Sequence, residues 1–273
     1  MNAMNPLKPP PLSAAVLEAR ALLDFVTMSA PLVRSFLNRS EPNRSEPPRQ
    51  QAVMVIPGFG ADDRYTWPLR AYLKSLGYAT TGWGLGTNKA GLNLPHSIGD
   101  VHPRWKLRKK SPYRGEAGVP YVIDRLIDRV DELTKVSRQP IALIGWSLGG
   151  YMAREVARDR PAHISQVITL GTPVTGGPKY TLAAPAFLRR KQNLDWVERM
   201  IADREERPIT VPITAVVSPS DGIVSYLAAI DHHSPAVHHV QLDVAHLAFP
   251  YNSTVWSVVA EALRTMEPER GRA

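Results

Sequence analysis

The chain carries a serine framed by glycines, Gly145-Trp146-Ser147-Leu148-Gly149-Gly150, between the apolar run at residues 141–144 and a stretch with helical spacing. In that setting a G-x-S-x-G pattern is a nucleophile elbow. The serine sits in a strained turn, small neighbours let adjacent backbone pass close by, and Oγ projects clear of the sheet. The start of the following helix adds free N–H groups and the positive end of its dipole, both favourable to developing negative charge. A serine hydroxyl is a weak nucleophile near neutral pH and requires a base within hydrogen-bonding reach, itself oriented by a carboxylate. Two later strand candidates end in loops with such groups. Residues 212–217 lead into Ser218-Pro219-Ser220-Asp221-Gly222, and residues 237–242 lead into Asp243-Val244-Ala245-His246-Leu247. Asp221 is therefore the predicted acid and His246 the predicted base, while Asp243 is read as capping its loop.

The other histidines fit the chemistry less well. His232, His233, His238 and His239 form two doublets, and imidazole is a common metal ligand. No H-E-x-x-H scaffold accompanies them, so they read as surface or strand-edge residues and no metal site is predicted. His96, His102 and His163 lie in settings that suggest solvent. Acyl transfer also needs donors aimed at an oxyanion. One is the N–H of Leu148, directly after the nucleophile. The second candidate is the N–H of Phe59, in the glycine turn Pro57-Gly58-Phe59-Gly60 that ends the first apolar run. That turn lacks the third glycine of a dinucleotide fingerprint, and no cofactor is expected. With no cysteine in the chain, thiol nucleophiles, disulfides and thiolate metal sites are excluded.

These groups need elements to carry them. Strands are predicted at 52–56, 78–82, 141–144, 167–170, 212–217 and 237–242, alternating with helices at 63–75, about 122–133, 149–158 and 254–265, the pattern of a parallel α/β sheet. Residues 122–133 place Val122, Ile123, Leu126, Ile127, Val130 and Leu133 on one helical face and charged residues on the other. Residues 1–51 differ: Ser13 reads as the N-cap of an amphipathic helix to about Ser29, followed by a tandem N-R-S-E-P duplication at 38–47 that reads as a polar tether. At 273 residues, 44% hydrophobic and 21% charged, the composition is that of a globular protein. The net charge of +8 admits an anionic partner, but the basic run at 104–114 has no nucleic-acid motif around it and no nucleic acid is expected. No signal peptide or membrane span is read, because Asp24 interrupts the most apolar early stretch, and a cytoplasmic location is expected.

From Ala52 onward the chain resembles the α/β-hydrolase superfamily, most closely its bacterial esterase/lipase branch. The resemblance rests on Pro57-Gly58-Phe59, on the Gly-Trp-Gly-x-Gly-x-Asn segment at 82–88, on the elbow, on the strand at 167–173, and on the loops around Asp221 and His246. It implies an α/β-hydrolase fold, with a predominantly parallel sheet of about six strands flanked by helices. It also implies a catalytic domain over 52–268 and a lid at about 173–208, whose apolar content is read as a mobile cover. Trp146, Phe187 and Trp196 are candidate substrate-binding residues. Where many lipases have His-Gly, this chain has Pro57-Gly58, so a histidine brace for the oxyanion loop is missing. The implied activity is a serine esterase or lipase acting on a small-molecule or lipid acyl ester. Peripheral membrane contact would suit the apolar lid, basic surface and N-terminal helix. The alternatives are an acyltransferase or thioesterase with the same triad, and a non-catalytic lipid- or partner-binding protein.

Overall fold

A computed structural model describes residues 7–21, 51–91 and 118–265. The predicted tether at 38–47, His96, His102 and the basic run at 104–114 lie outside the described residues.

Six parallel strands form one sheet in the order β2-β1-β3-β4-β5-β6. They are β1 (Ala52–Ile56), β2 (Ala79–Gly82), β3 (Ile141–Trp146), β4 (Ile164–Leu170), β5 (Ile213–Val217) and β6 (Val237–Gln241). Every residue of β1 and β3 is buried, as expected of parallel strands covered on both faces by crossover helices. The alternation of side chains divides the core in two. Met54, Ile56 and Leu143 pack on one face with α2 (Gly118–Ser137) and α3 (Leu148–Asp159), while Val53, Val55, Ala142 and Ile144 pack on the other. That second face is covered by α1 (Trp67–Ser75) and by the C-terminal helix Ser253–Thr265. Between β4 and β5 the chain forms α4 (Ala184–Arg189) and α5 (Leu194–Glu205), and after β5 the short α6 (Tyr226–Ala229); the C-terminal helix is α7.

Of the boundaries that differ from the sequence reading, three have identifiable reasons. Helix α1 starts at Trp67, not at residue 63, because Pro68 fits the first helical turn and Asp62 closes a tight turn onto the Arg64 N–H at 2.8 Å. Strand β4 starts at Ile164, ahead of residue 167, because the polar Gln166 is buried in the ladder opposite Ala142. At the N-terminus, Leu12–Ala19 forms a 3-10 helix with Pro11 at its cap, so Ser13 lies inside the element. Pro11 has no N–H to lose and a preset φ, which suits it to that boundary. The rest of the predicted helix, beyond residue 21, lies outside the described residues. Among the described residues no helix is long and apolar enough to cross a membrane.

Candidate active site

The site lies at the C-terminal edge of the sheet, where β3, β5 and β6 release their loops, the usual position for ligand chemistry in open α/β sheets. Ser147 caps α3 with φ 55° and ψ −123°, a sparsely populated backbone conformation for a residue with a Cβ. Its N–H is held by the Leu170 carbonyl at 2.8 Å. The turn is possible because helix α3 begins against the β1 loop: a Cβ at Gly149 would stand 2.6 Å from the Pro57 carbonyl oxygen.

Asp221 and His246 meet although they leave different strands. Asp221 Oδ2 lies 2.6 Å from His246 Nδ1, and both side chains are buried. The other carboxylate oxygen, Oδ1, accepts the N–H groups of Ile223 at 2.9 Å and Val224 at 2.7 Å. That fixes the carboxylate plane and leaves Oδ2 for the imidazole. A carboxylate only accepts, so Nδ1 carries the hydrogen, and in the neutral ring Nε2 is left with the lone pair. Gly171, at the end of β4 with φ 55°, passes beneath the pair, and a Cβ there would lie 2.9 Å from Asp221 Oδ2 and 3.1 Å from His246 Nδ1.

Several braces were not read from the sequence. Ser218 Oγ accepts the N–H of Ser220 at 3.1 Å and of Val244 at 3.0 Å, joining acid loop to base loop. The Trp146 indole N–H donates to the His246 carbonyl at 3.1 Å, and Tyr65 stacks on the Trp146 ring at 4.7 Å. The Tyr65 hydroxyl donates to the Leu247 carbonyl at 3.1 Å, and burial pushes its pKa up, which keeps it a donor. Glu18, from the N-terminal 3-10 helix, also reaches the base loop. On the opposite side, the buried Asn88 amide donates to the Pro57 carbonyl at 2.9 Å. Its backbone carbonyl accepts from Gly60 and its N–H donates to Ala61, each at 2.8 Å. Asn88 thus steadies the Phe59 turn in a chain that has no histidine there. The clue was available in the Gly-Trp-Gly-x-Gly-x-Asn segment.

Ser147, Leu148, Phe59 and His246 all line one cavity of about 390 Å³. Trp146, Phe187 and Trp196, the candidate substrate contacts, line it as well. Asp221 stands behind His246, outside the lining. The walls are otherwise mainly apolar, with Leu182, Met200, Ile201 and Val224 among them. The Phe187 ring meets the Phe59 ring at 5.8 Å between centroids, so α4 closes onto the predicted oxyanion turn.

A sequence model of the family described as alpha/beta hydrolase fold matches residues 52–217. The chain belongs to the α/β-hydrolase family. Solved structures with the same fold include lipase B of Aspergillus fumigatus, at 17% identity and TM-score 0.57, covering 81% of this chain and 55% of that one. The Butyrivibrio proteoclasticus protein Est1E, solved with ferulic acid bound, matches at 16% identity and TM-score 0.56 over 82% and 92% of the two chains. The monoacylglycerol lipase of Paleococcus ferrophilus matches at 13% identity and TM-score 0.51 over 81% and 96%. No curated protein sequence matches the chain.

In this α/β-hydrolase, α4 and α5 of the connection at 173–208 wall the cavity through Phe187, Trp196, Met200 and Ile201, and α5 is fastened to α3. Arg204 on α5 pairs with Glu155 at 2.6 Å and Asp159 at 2.8 Å on α3, the helix that Ser147 caps. Glu205 pairs with Arg158 at 2.8 Å and Arg154 at 3.2 Å, and Arg154 also bonds Asp231. These side chains are buried. Burial pushes the Asp231 carboxyl up, but Arg154, the His233 N–H and Ser234 outweigh it and bring its pKa down to about 2. His239 Nε2 accepts the Asp231 N–H at 3.0 Å, which gives one histidine of the doublets a structural task. His163 pairs with Asp131 at 2.8 Å while partly exposed, and Asp243 is exposed and paired with Arg20. Among the described residues no group of three or more His, Asp or Glu is arranged to hold a metal ion.

Proposed function

We propose that this α/β-hydrolase cleaves carboxylic esters through an acyl-enzyme on Ser147. The observation that carries the reading is the His246–Asp221 contact of 2.6 Å, poised at a mainly apolar cavity that the strained Ser147 also lines. His246 Nε2 takes the Ser147 hydroxyl proton as Oγ adds to the ester carbonyl carbon, and Asp221 stabilises the imidazolium that forms. The N–H groups of Phe59 and Leu148 bind the oxyanion, each such donor being worth about 3 kcal/mol. Collapse expels the alcohol, which takes the proton back from His246. Water, deprotonated by the same imidazole, then attacks the acyl carbon and releases the carboxylate with Ser147 restored. The apolar walls suit an uncharged acyl group, since a charged chain buried there would have no partner.

Steady-state kinetics on p-nitrophenyl esters test this reading. Ser147→Ala is expected to lower kcat by about a millionfold and Asp221→Asn by about ten-thousandfold, with the fold retained. Wild-type rates from Ser147→Ala would refute it.

A further inference from the structure

The 3-10 helix Leu12–Ala19 precedes the family-matched region, yet one of its side chains spans both catalytic loops. Glu18 Oε1 accepts the N–H of Gly222 at 2.8 Å and of His246 at 3.0 Å, and Oε2 accepts the N–H of Leu247 at 2.8 Å. Gly222 directly follows the acid and Leu247 directly follows the base. Three backbone donors from two loops therefore converge on one carboxylate, the stronger charge-assisted form of hydrogen bond. The approach is close: a Cβ at Gly222 would lie 3.0 Å from Glu18 Oε1 and 3.1 Å from the Ala14 carbonyl carbon. The neighbouring Arg20–Asp243 pair is 3.4 Å long, with both side chains more than half exposed, so it contributes little.

We propose that Glu18 is a positioning residue for the Asp221–His246 pair, and that the Leu12–Ala19 helix is therefore a working part of the hydrolase. The Oδ2–Nδ1 contact depends on the relative height of two loops that leave neighbouring strands. Ser218 ties them from one side and Glu18 from another. Glu18 does not line the substrate cavity, so its loss should disturb the chemical step more than binding. Displacements of about 1 Å at such a site lower rates by about a hundredfold.

The kinetic part of the test rests on the ester-hydrolase reading; the spectroscopic part does not. Glu18→Ala, Glu18→Gln and Arg20→Ala are made in the full chain. Glu18→Ala is expected to lower kcat on a p-nitrophenyl ester about 10- to 100-fold with KM changed less than about twofold. Glu18→Gln keeps one acceptor oxygen and should recover part of the loss, while Arg20→Ala should match wild type. Independently, the low-field proton resonance of His246 Nδ1–H, assigned by its absence in His246→Gln, should shift or broaden in folded Glu18→Ala. Wild-type kcat with an unmoved resonance would overturn the proposal. So would a kcat that falls only in proportion to the folded fraction while the resonance of the folded protein stays put, since that marks a mere tether. If the wild-type chain turns over no ester, the functional reading fails and the resonance alone decides the role of Glu18.

Discussion

At the scale of single residues, the reactive groups depend on neighbours with no chemistry of their own. Gly171 is the sharpest case, because its φ of 55° and its distances to Asp221 and His246 leave no room for a methyl group. Gly171→Ala is predicted to lower kcat by about a hundredfold through displacement of the pair. The strained backbone should also lower stability by about 1–3 kcal/mol, readable by urea unfolding beside the kinetics. That Ser147, Asp221 and His246 stand just past strand ends was legible in the sequence because each follows a recognisable strand within a few residues. Glu18 and Tyr65 were not, because a residue that acts across 228 or 182 positions of chain leaves no local spacing to read. Asn88 was half legible: its segment stood out, but its bond to the Pro57 carbonyl is a fact of packing.

Among the elements, α3 and α5 carry the least expected result. Charged residues on a helix ordinarily mark its solvent face, and nothing in their spacing shows that a second helix will cover them. Arg154, Glu155 and Arg158 are nonetheless buried against Arg204 and Glu205. A cover expected to be mobile is thereby tied to α3 at the C-terminal end of α5, and on either side of α4 Leu182 donates its N–H to the Ile223 carbonyl at 2.7 Å and the Gln192 amide donates to the Gly91 carbonyl. Arg154→Met would leave the buried Asp231 carboxylate without its cation while Glu205 keeps Arg158, and is predicted to destabilise the fold by about 3–5 kcal/mol, measured by thermal or denaturant unfolding. The same cluster sets an acid response. Asp231 titrates at about 2 in the folded protein and near 3.9 when unfolded, so its contribution of about 2–3 kcal/mol is present above pH 4 and is lost as pH falls through 2. Asp231→Asn should therefore show a flatter loss of stability across that interval in acid titrations than wild type.

For the whole molecule, strand order converts sequence order into a site. β4 separates β3 from β5, so Gly171 lies between the strands that lead to Ser147 and Asp221, and β6 at the sheet edge leads to His246, which meets Asp221 beside Gly171. The parallel sheet was legible because buried parallel strands read as continuous apolar runs. The relation of residues 7–21 to the catalytic loops was not, since an amphipathic pattern shows that one face is covered but not which surface covers it. The apolar cavity predicts a chain-length trend: each further buried methylene contributes about 0.8 kcal/mol, or about fourfold in kcat/KM, from acetate to longer p-nitrophenyl esters until the cavity is full. Equal kcat/KM for acetate and hexanoate would show that the acyl chain does not enter it. The most direct measurement of the central claim is reaction of the folded chain with a fluorophosphonate, followed by mass spectrometry of its peptides. One adduct per chain is expected, on Ser147, formed rapidly in wild type and lost in Ser147→Ala and His246→Gln. A wild-type chain that stays unlabelled, or a label that persists in Ser147→Ala, would contradict it.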